Sequence, residues 1–121
     1  MNNLVLAYLG DAVYELWIRE YLINIGISKV NDLQKESIKY VSAKNQSFYL
    51  NKLIENSLLT SDEIDIIKRG KNMKSHGKTN VDIVTYKEST GLECLIGYLK
   101  TQDNNKRIDE IMNYIVGELW E

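Results

Sequence analysis

The chain has no proline, one cysteine and one histidine among its 121 residues, and no long uninterrupted apolar run. Each shortage removes a class of protein. Without proline, internal repeats or low-complexity stretches, no linker is marked, so residues 1–121 are expected to form a single domain, long enough to bury a core. A lone Cys94 excludes an internal disulfide framework and a cysteine-rich zinc site, and it suits a reducing cytoplasm. Asp11 and Glu15 break the longest apolar run, so no membrane span is expected. No positively charged segment precedes Leu4 to Leu9, and a secretory signal is not expected either. What remains, 44% hydrophobic and 26% charged, is the composition of an ordinary globular protein.

Acidic residues are also missing from one stretch. Between Lys68 and Lys78 stand Lys68, Arg69, Lys71, Lys74 and Lys78, with His76 among them and no carboxylate. The net charge of −2 therefore averages a basic segment against a remainder carrying 10 basic and 17 acidic side chains. Such segregation is what binding a phosphate-rich partner at one place requires. A solvated lysine-rich loop has the same composition, and composition alone favours that simpler reading.

Every clear periodicity is helical, with no alternating run that makes a case for a sheet. The spacing predicts an all-α helical bundle. The first helix covers about Asn3 to Ile23 and ends near Gly26. The second runs from roughly Val30 to Tyr40, with Ser28 or Asn31 as its cap. The third begins after Ser42 and reaches about Asn56. Thr60-Ser-Asp-Glu63 has the form of a capping box and opens a fourth helix that stops near Gly70. The basic stretch beyond is read as a loop, since it holds Gly70, Gly77 and Asn80. A short piece is expected over Val81 to Tyr86. Thr90-Gly-Leu-Glu93 again has capping-box form, backed by a core stripe of Leu92, Leu95, Ile96 and Leu99. Asn104 or Asn105 caps a last helix that ends near Trp120.

The first helix carries the most chemistry. Apolar residues occupy nearly its whole circumference, which predicts a central helix buried on most sides. Asp11 and Glu15 are the only charges from Leu4 through Ile18, and they share one face. A carboxylate removed from water needs a cation beside it. Three would serve: Arg19 one turn on, a basic residue from another helix, or a metal ion shared with a distant carboxylate. For Glu15 the Arg19 salt bridge is the simpler reading, whereas for Asp11 the helix does not choose. Glu93 is the candidate second acid, set among apolar neighbours, although a capping box would explain it as well. Gly10 and Gly97 are small residues beside these acids, placed where two helices would have to approach closely. Magnesium, which takes oxygen ligands and is often held by one or two carboxylates, is the cation this pair would suit.

The stretch Tyr8-Leu-Gly-Asp11-Ala-Val-Tyr-Glu15-Leu resembles the signature helix of the ribonuclease III family. Leu92-Glu93-Cys-Leu-Ile-Gly97 resembles that family's second signature, and the two occur in the family's order and at its spacing. The resemblance implies a helical catalytic domain that forms a homodimer with two active centres. It implies Asp11 and Glu93 as the catalytic, magnesium-binding pair, and cleavage of double-stranded RNA to 5′-phosphate and 3′-hydroxyl ends. Larger family members carry further acids where this chain has Ala7 and Thr90. The Mini-III branch, which is short and lacks an appended RNA-binding domain, resembles the chain at both positions. It does so also at Val41-Ser-Ala-Lys44, at Arg69-Gly-Lys-Asn72 followed by Lys74-Ser75, and at Thr85-Tyr86.

That branch implies trimming of a large-subunit (23S) ribosomal RNA precursor at a helical stem. A catalytic unit alone must grip RNA itself, so Lys68, Arg69, Lys71, Asn72, Lys74 and Lys78 are the expected RNA-binding residues. Glu15, Lys44 and Thr90 are candidates for supporting roles, Lys44 being equally a plain surface residue. His76 is a phosphate contact or inert, and Cys94 a small core residue. Tyr8, Tyr14, Trp17 and Tyr21 read as core or dimer interface. The alternatives are an RNA-binding scaffold of the same fold that has lost catalysis, and a helical protein-interaction module with no RNA partner.

Overall fold

The structure, a computed structural model, describes residues 2–72 and 82–118. Its elements are α1 (Asn3–Asn24), α2 (Val30–Val41), α3 (Ala43–Glu55), α4 (Ser61–Lys71), α5 (Ile83–Thr101) and α6 (Asn105–Asn113), closed by a π-helical turn over Tyr114–Glu118. There is no strand among the described residues. Lys74, His76, Lys78 and the expected helix end at Trp120 lie outside them.

The start signals written in the sequence mostly act as expected. Ser42 accepts a hydrogen bond from the Asn45 amide at 3.3 Å, and Asn104 from the Arg107 amide at 3.2 Å. Thr60 and Glu63 form the reciprocal box, with contacts of 3.1 Å and 2.9 Å. Arg107 then forks onto the Glu63 carboxylate at 2.7 Å and 2.8 Å and reaches the Leu58 carbonyl at 2.7 Å, tying α6 to the start of α4. Burial alone would raise the Glu63 pKa, but the hydrogen bonds from Arg107 and Thr60 hold it below the usual carboxylate range.

Two start signals are corrected. α2 begins after Lys29 with no side-chain cap, so neither Ser28 nor Asn31 fills that place; Asp32 in the first turn complements the helix dipole instead. Thr90 opens no helix. Asp82 caps α5 eight residues earlier, accepting from the Thr85 amide at 2.8 Å and the Thr85 hydroxyl at 3.0 Å. Of the piece expected over Val81 to Tyr86, Val81 lies outside the described residues and Ile83 to Tyr86 begin this one long helix. Mid-helix, the Thr90 hydroxyl donates back to the Tyr86 carbonyl at 3.0 Å, a bond that mimics a cap only in sequence.

α5 is the centre of the bundle, packed along α1, α3 and α4. Leu92, Cys94, Leu95, Ile96 and Leu99 are all buried. On α1 the buried set is Leu6, Ala7, Gly10, Tyr14, Ile18 and Leu22, a single stripe. The opposite side is apolar but open: Leu4, Val5, Leu16 and Ile23 are about half exposed, and Tyr8 is 83% exposed. The expectation that α1 is buried on most sides is thus not met within one chain, because composition around a helix cannot say how many neighbours it has.

The α1–α5 crossing is unusually close. A Cβ on Gly10 would fall on the Glu93 carbonyl, and one on Gly97 would fall on the Leu6 carbonyl. Both obstacles are backbone, which cannot turn aside as a side chain does. Replacing Gly10 by alanine is expected to destabilise the protein by about 3 kcal/mol, the upper end for overpacking, read as a lowered urea midpoint. A midpoint matching the parent protein would mean that the helices do not approach this closely.

Candidate functional site

The close crossing decides where two acids sit. Asp11 follows Gly10 on α1, and Glu93 lies one turn before Gly97 on α5, so the glycines that seat the helices also bring the carboxyl groups into hydrogen-bond contact. Between α1, α5 and the α2–α3 corner opens a cleft of about 380 Å³. Asp11 faces it from an exposed position, and Glu93 is recessed at its wall. Asp11 therefore stays in water, contrary to the premise that it is taken from solvent, and Glu93 is the acid that bears the burial.

The α2–α3 corner is fixed from both sides. The buried Tyr14, one turn beyond Asp11, donates to the Tyr40 carbonyl at 2.7 Å, and Tyr49 donates to the Lys39 carbonyl at 2.8 Å. These bonds satisfy carbonyls left open at the end of α2. With Ser42 capping α3, the corner delivers Gln46 to the cleft, almost fully buried, its amide donating to Glu93 Oε2 at 3.5 Å.

Electrostatics make the site costly when empty of cations. Among the described residues, no lysine, arginine or histidine lines the cleft. Burial, the hydrogen bond to Asp11 and the Asp11 charge push the Glu93 pKa from 4.5 up to about 9, with only Gln46 acting the other way. Burial and a like charge beside it both favour the protonated form of Glu93. The donors facing the cleft are oxygens and one carboxamide, a set suited to a hard divalent ion and unsuited to zinc or copper. Among the described residues no cluster of three or more metal-binding side chains occurs, so such an ion would have two protein carboxylates.

Other expected residues distribute unevenly. Ala7 and Thr90 line the cleft. Glu15 does not; it pairs with Arg19 at 3.2 Å on the surface, the simpler of the two readings. Lys44 is exposed on the first turn of α3, beside Ala43 and Gln46 of the lining but not within it. Lys68, Arg69 and Asn72 are exposed around the end of α4, and the Lys71 stem lies over Gly91 of α5. Arg69 opens on a different cleft, beside Tyr98 and Gln102. Cys94 is a buried core residue, as expected, its thiol donating to the Asn3 carbonyl at 3.1 Å. Tyr14 is core, and Trp17 and Tyr21 stack at 5.7 Å, half-buried.

Gln46 is the site residue that the sequence reading passed over. Its signal was present: it occupies the core stripe of α3 with Tyr49, Leu50 and Leu53, a place where a carboxamide needs a reason.

The model of the ribonuclease III domain matches residues 4–104, most of the chain. The chain belongs to the ribonuclease III domain family. Within that family it is similar to proteins named Mini-ribonuclease 3. The Enterococcus faecalis protein is 40% identical over 100% of this chain and 92% of its own length. The Staphylococcus aureus protein is 43% identical over 96% and 87% respectively. A crystal structure of a Fusobacterium nucleatum protein superposes with a TM-score of 0.85 at 34% identity, covering 95% of this chain and 93% of that one. The fold, the two signature segments and the family assignment agree.

A pH dependence follows from the acid pair. Folded Glu93 keeps a proton that the unfolded chain releases above about 4.5. Between that value and about 9, folding takes up a proton, and stability falls as pH rises. In metal-free protein, Glu93→Gln is expected to remove this slope and to be more stable than the parent at pH 8, on the order of a few kcal/mol. Urea titrations of both proteins at pH 5 and pH 8 check it; parallel pH profiles would mean that Glu93 titrates normally.

Proposed function

We propose that this ribonuclease III-family endoribonuclease cleaves double-stranded RNA with magnesium held by Asp11 and Glu93. The observation that carries the reading is that Asp11 and Glu93 face one cleft which, among the described residues, no cationic side chain lines. Structural ion pairs bring their own counter-charge, and the described lining holds none for this pair. When bound, a divalent ion supplies Lewis acidity, both for a nucleophile drawn from water and for the charge that builds on the phosphate. Asp11, exposed in the cleft, is the acid that meets cation and substrate first. Glu93 must surrender its proton to join it, so binding releases a proton and is stronger at higher pH.

The substrate is proposed to be a stem of the 23S ribosomal RNA precursor, cut to 5′-phosphate and 3′-hydroxyl ends by one catalytic domain spanning the chain. Lys68, Arg69, Lys71, Asn72, Lys74 and Lys78 are assigned to the RNA backbone. Of the described ones, Lys68, Arg69 and Lys71 fall in the last turn of α4, where positive charge also complements the helix dipole. A homodimer joined through the open side of α1 is part of the proposal. Leu4, Val5, Tyr8 and Leu16 form an apolar surface that a single chain leaves in water. A reducing cytoplasm suits the lone buried thiol, and no helix among the described residues is long and apolar enough to cross a membrane.

The direct test is cleavage of a long RNA duplex. Activity is expected with magnesium and none after chelation. Asp11→Asn should lower the rate by at least about a thousandfold, as loss of an electrostatic group at a reacting centre does, with circular dichroism unchanged. Full cleavage by this variant would move the active site elsewhere.

For the RNA contacts, Lys68→Ala combined with Lys71→Ala should weaken duplex binding evenly across sequences. The slope of log affinity against log salt should drop by about one per lysine. Unaltered affinity would displace the RNA groove from this end of α4.

A further inference from the structure

Gln46 is 2% exposed; among the described residues its carboxamide makes one hydrogen bond, the 3.5 Å contact to Glu93 Oε2, and it lines the acid-bearing cleft. Burying a carboxamide costs more than one long hydrogen bond returns, and an apolar side chain of the same length would fill the site at less cost. The surroundings nevertheless go to some length to hold it. The Gln46 amide is hydrogen-bonded to the Ser42 carbonyl at 2.9 Å in the first turn of α3, Ser42 caps that turn, and Tyr14 and Tyr49 clamp the preceding corner. Hydrogen bonds in sites without their ligand are often long and shorten when the site is filled.

We propose that Gln46 is a positioning residue for the cation site: by donating to Glu93 Oε2 it fixes the plane of the carboxylate with which Glu93 would join Asp11 in holding the ion. It thereby supplies, with a neutral group, part of the order that additional acids would otherwise bring at the positions of Ala7 and Thr90. The ion keeps two protein carboxylates and an orienting amide behind one of them. This rests on the magnesium reading above and specifies how the recessed acid is held.

Outer partners that orient a ligand typically account for ten- to a hundredfold in metal affinity. Binding of Mn²⁺ to the full chain without RNA, followed by calorimetry and by the free-ion paramagnetic resonance signal, reads this separately from activity. Gln46→Met keeps length and removes the donor. Its thermal midpoint is expected to match or exceed the parent's, its Mn²⁺ affinity to fall at least tenfold, and its magnesium half-saturation in RNA cleavage to rise by a similar factor. Ser47→Ala is the control. Ser47 neighbours Gln46, is buried, and donates to Glu88 at 2.8 Å outside the cleft; its loss should lower the midpoint and leave Mn²⁺ affinity unchanged.

Gln46→Met that binds Mn²⁺ within twofold of the parent overturns the proposal, as does Ser47→Ala weakening binding equally, which would indicate general loosening of α3. Asp11→Asn separates the two levels. If the parent binds Mn²⁺ and Asp11→Asn does not, an unaffected Gln46→Met sinks only the positioning role. If the parent binds no better than Asp11→Asn, the metal reading itself has failed.

Discussion

The contact between α1 and α5 is the constraint on which everything else in this protein rests. Two helices ordinarily pack 8–10 Å apart because side chains stand between them. Here Gly10 and Gly97 remove those side chains, and backbone meets backbone. The neighbours of these glycines are not free to be anywhere else: Asp11 follows one and Glu93 stands a turn from the other. The closeness that shapes the core and the closeness that pairs the acids are one feature. A wider crossing would leave a helical bundle with two unrelated carboxylates.

That arrangement is held against an electrostatic preference. Hydrophobic burial along α5, the Arg107 fork on Glu63 and the tyrosine clamps on the end of α2 are local sources of stability. They offset a cleft where Glu93 is recessed beside Asp11, with no basic side chain in the lining among the described residues. Most buried ionic groups in proteins are neutralised within the chain, as Glu63 is. Glu93 is the contrast, since its nearest charge has its own sign.

Much of this was legible in the sequence, for identifiable reasons. Helix periodicity and the short-range caps at Ser42, Thr60 and Asn104 depend on residues within one turn, and they form as read. The segments around Asp11 and Glu93 stood out through their resemblance to the ribonuclease III signatures, since the helix pattern by itself left the partner of Asp11 open. Thr90 was misread for the same locality: a Thr-x-x-Glu pattern looks alike at a helix start and in its middle, and Asp82 decided the matter from outside the window. The open side of α1 was misread because an apolar circumference reports that something covers the helix, not whether that cover is the same chain.

The sequence alone determined the helical class, most helix starts and the segregated basic segment, since these are properties of neighbours along the chain. Only tertiary structure decided that Glu93 rather than Asp11 carries the burial, that Arg69 opens on another cleft, and that Gln46 stands behind the recessed acid. Each of those depends on the distance between residues far apart in sequence. That distance is set by how closely two helix backbones come together, a quantity that no local pattern contains.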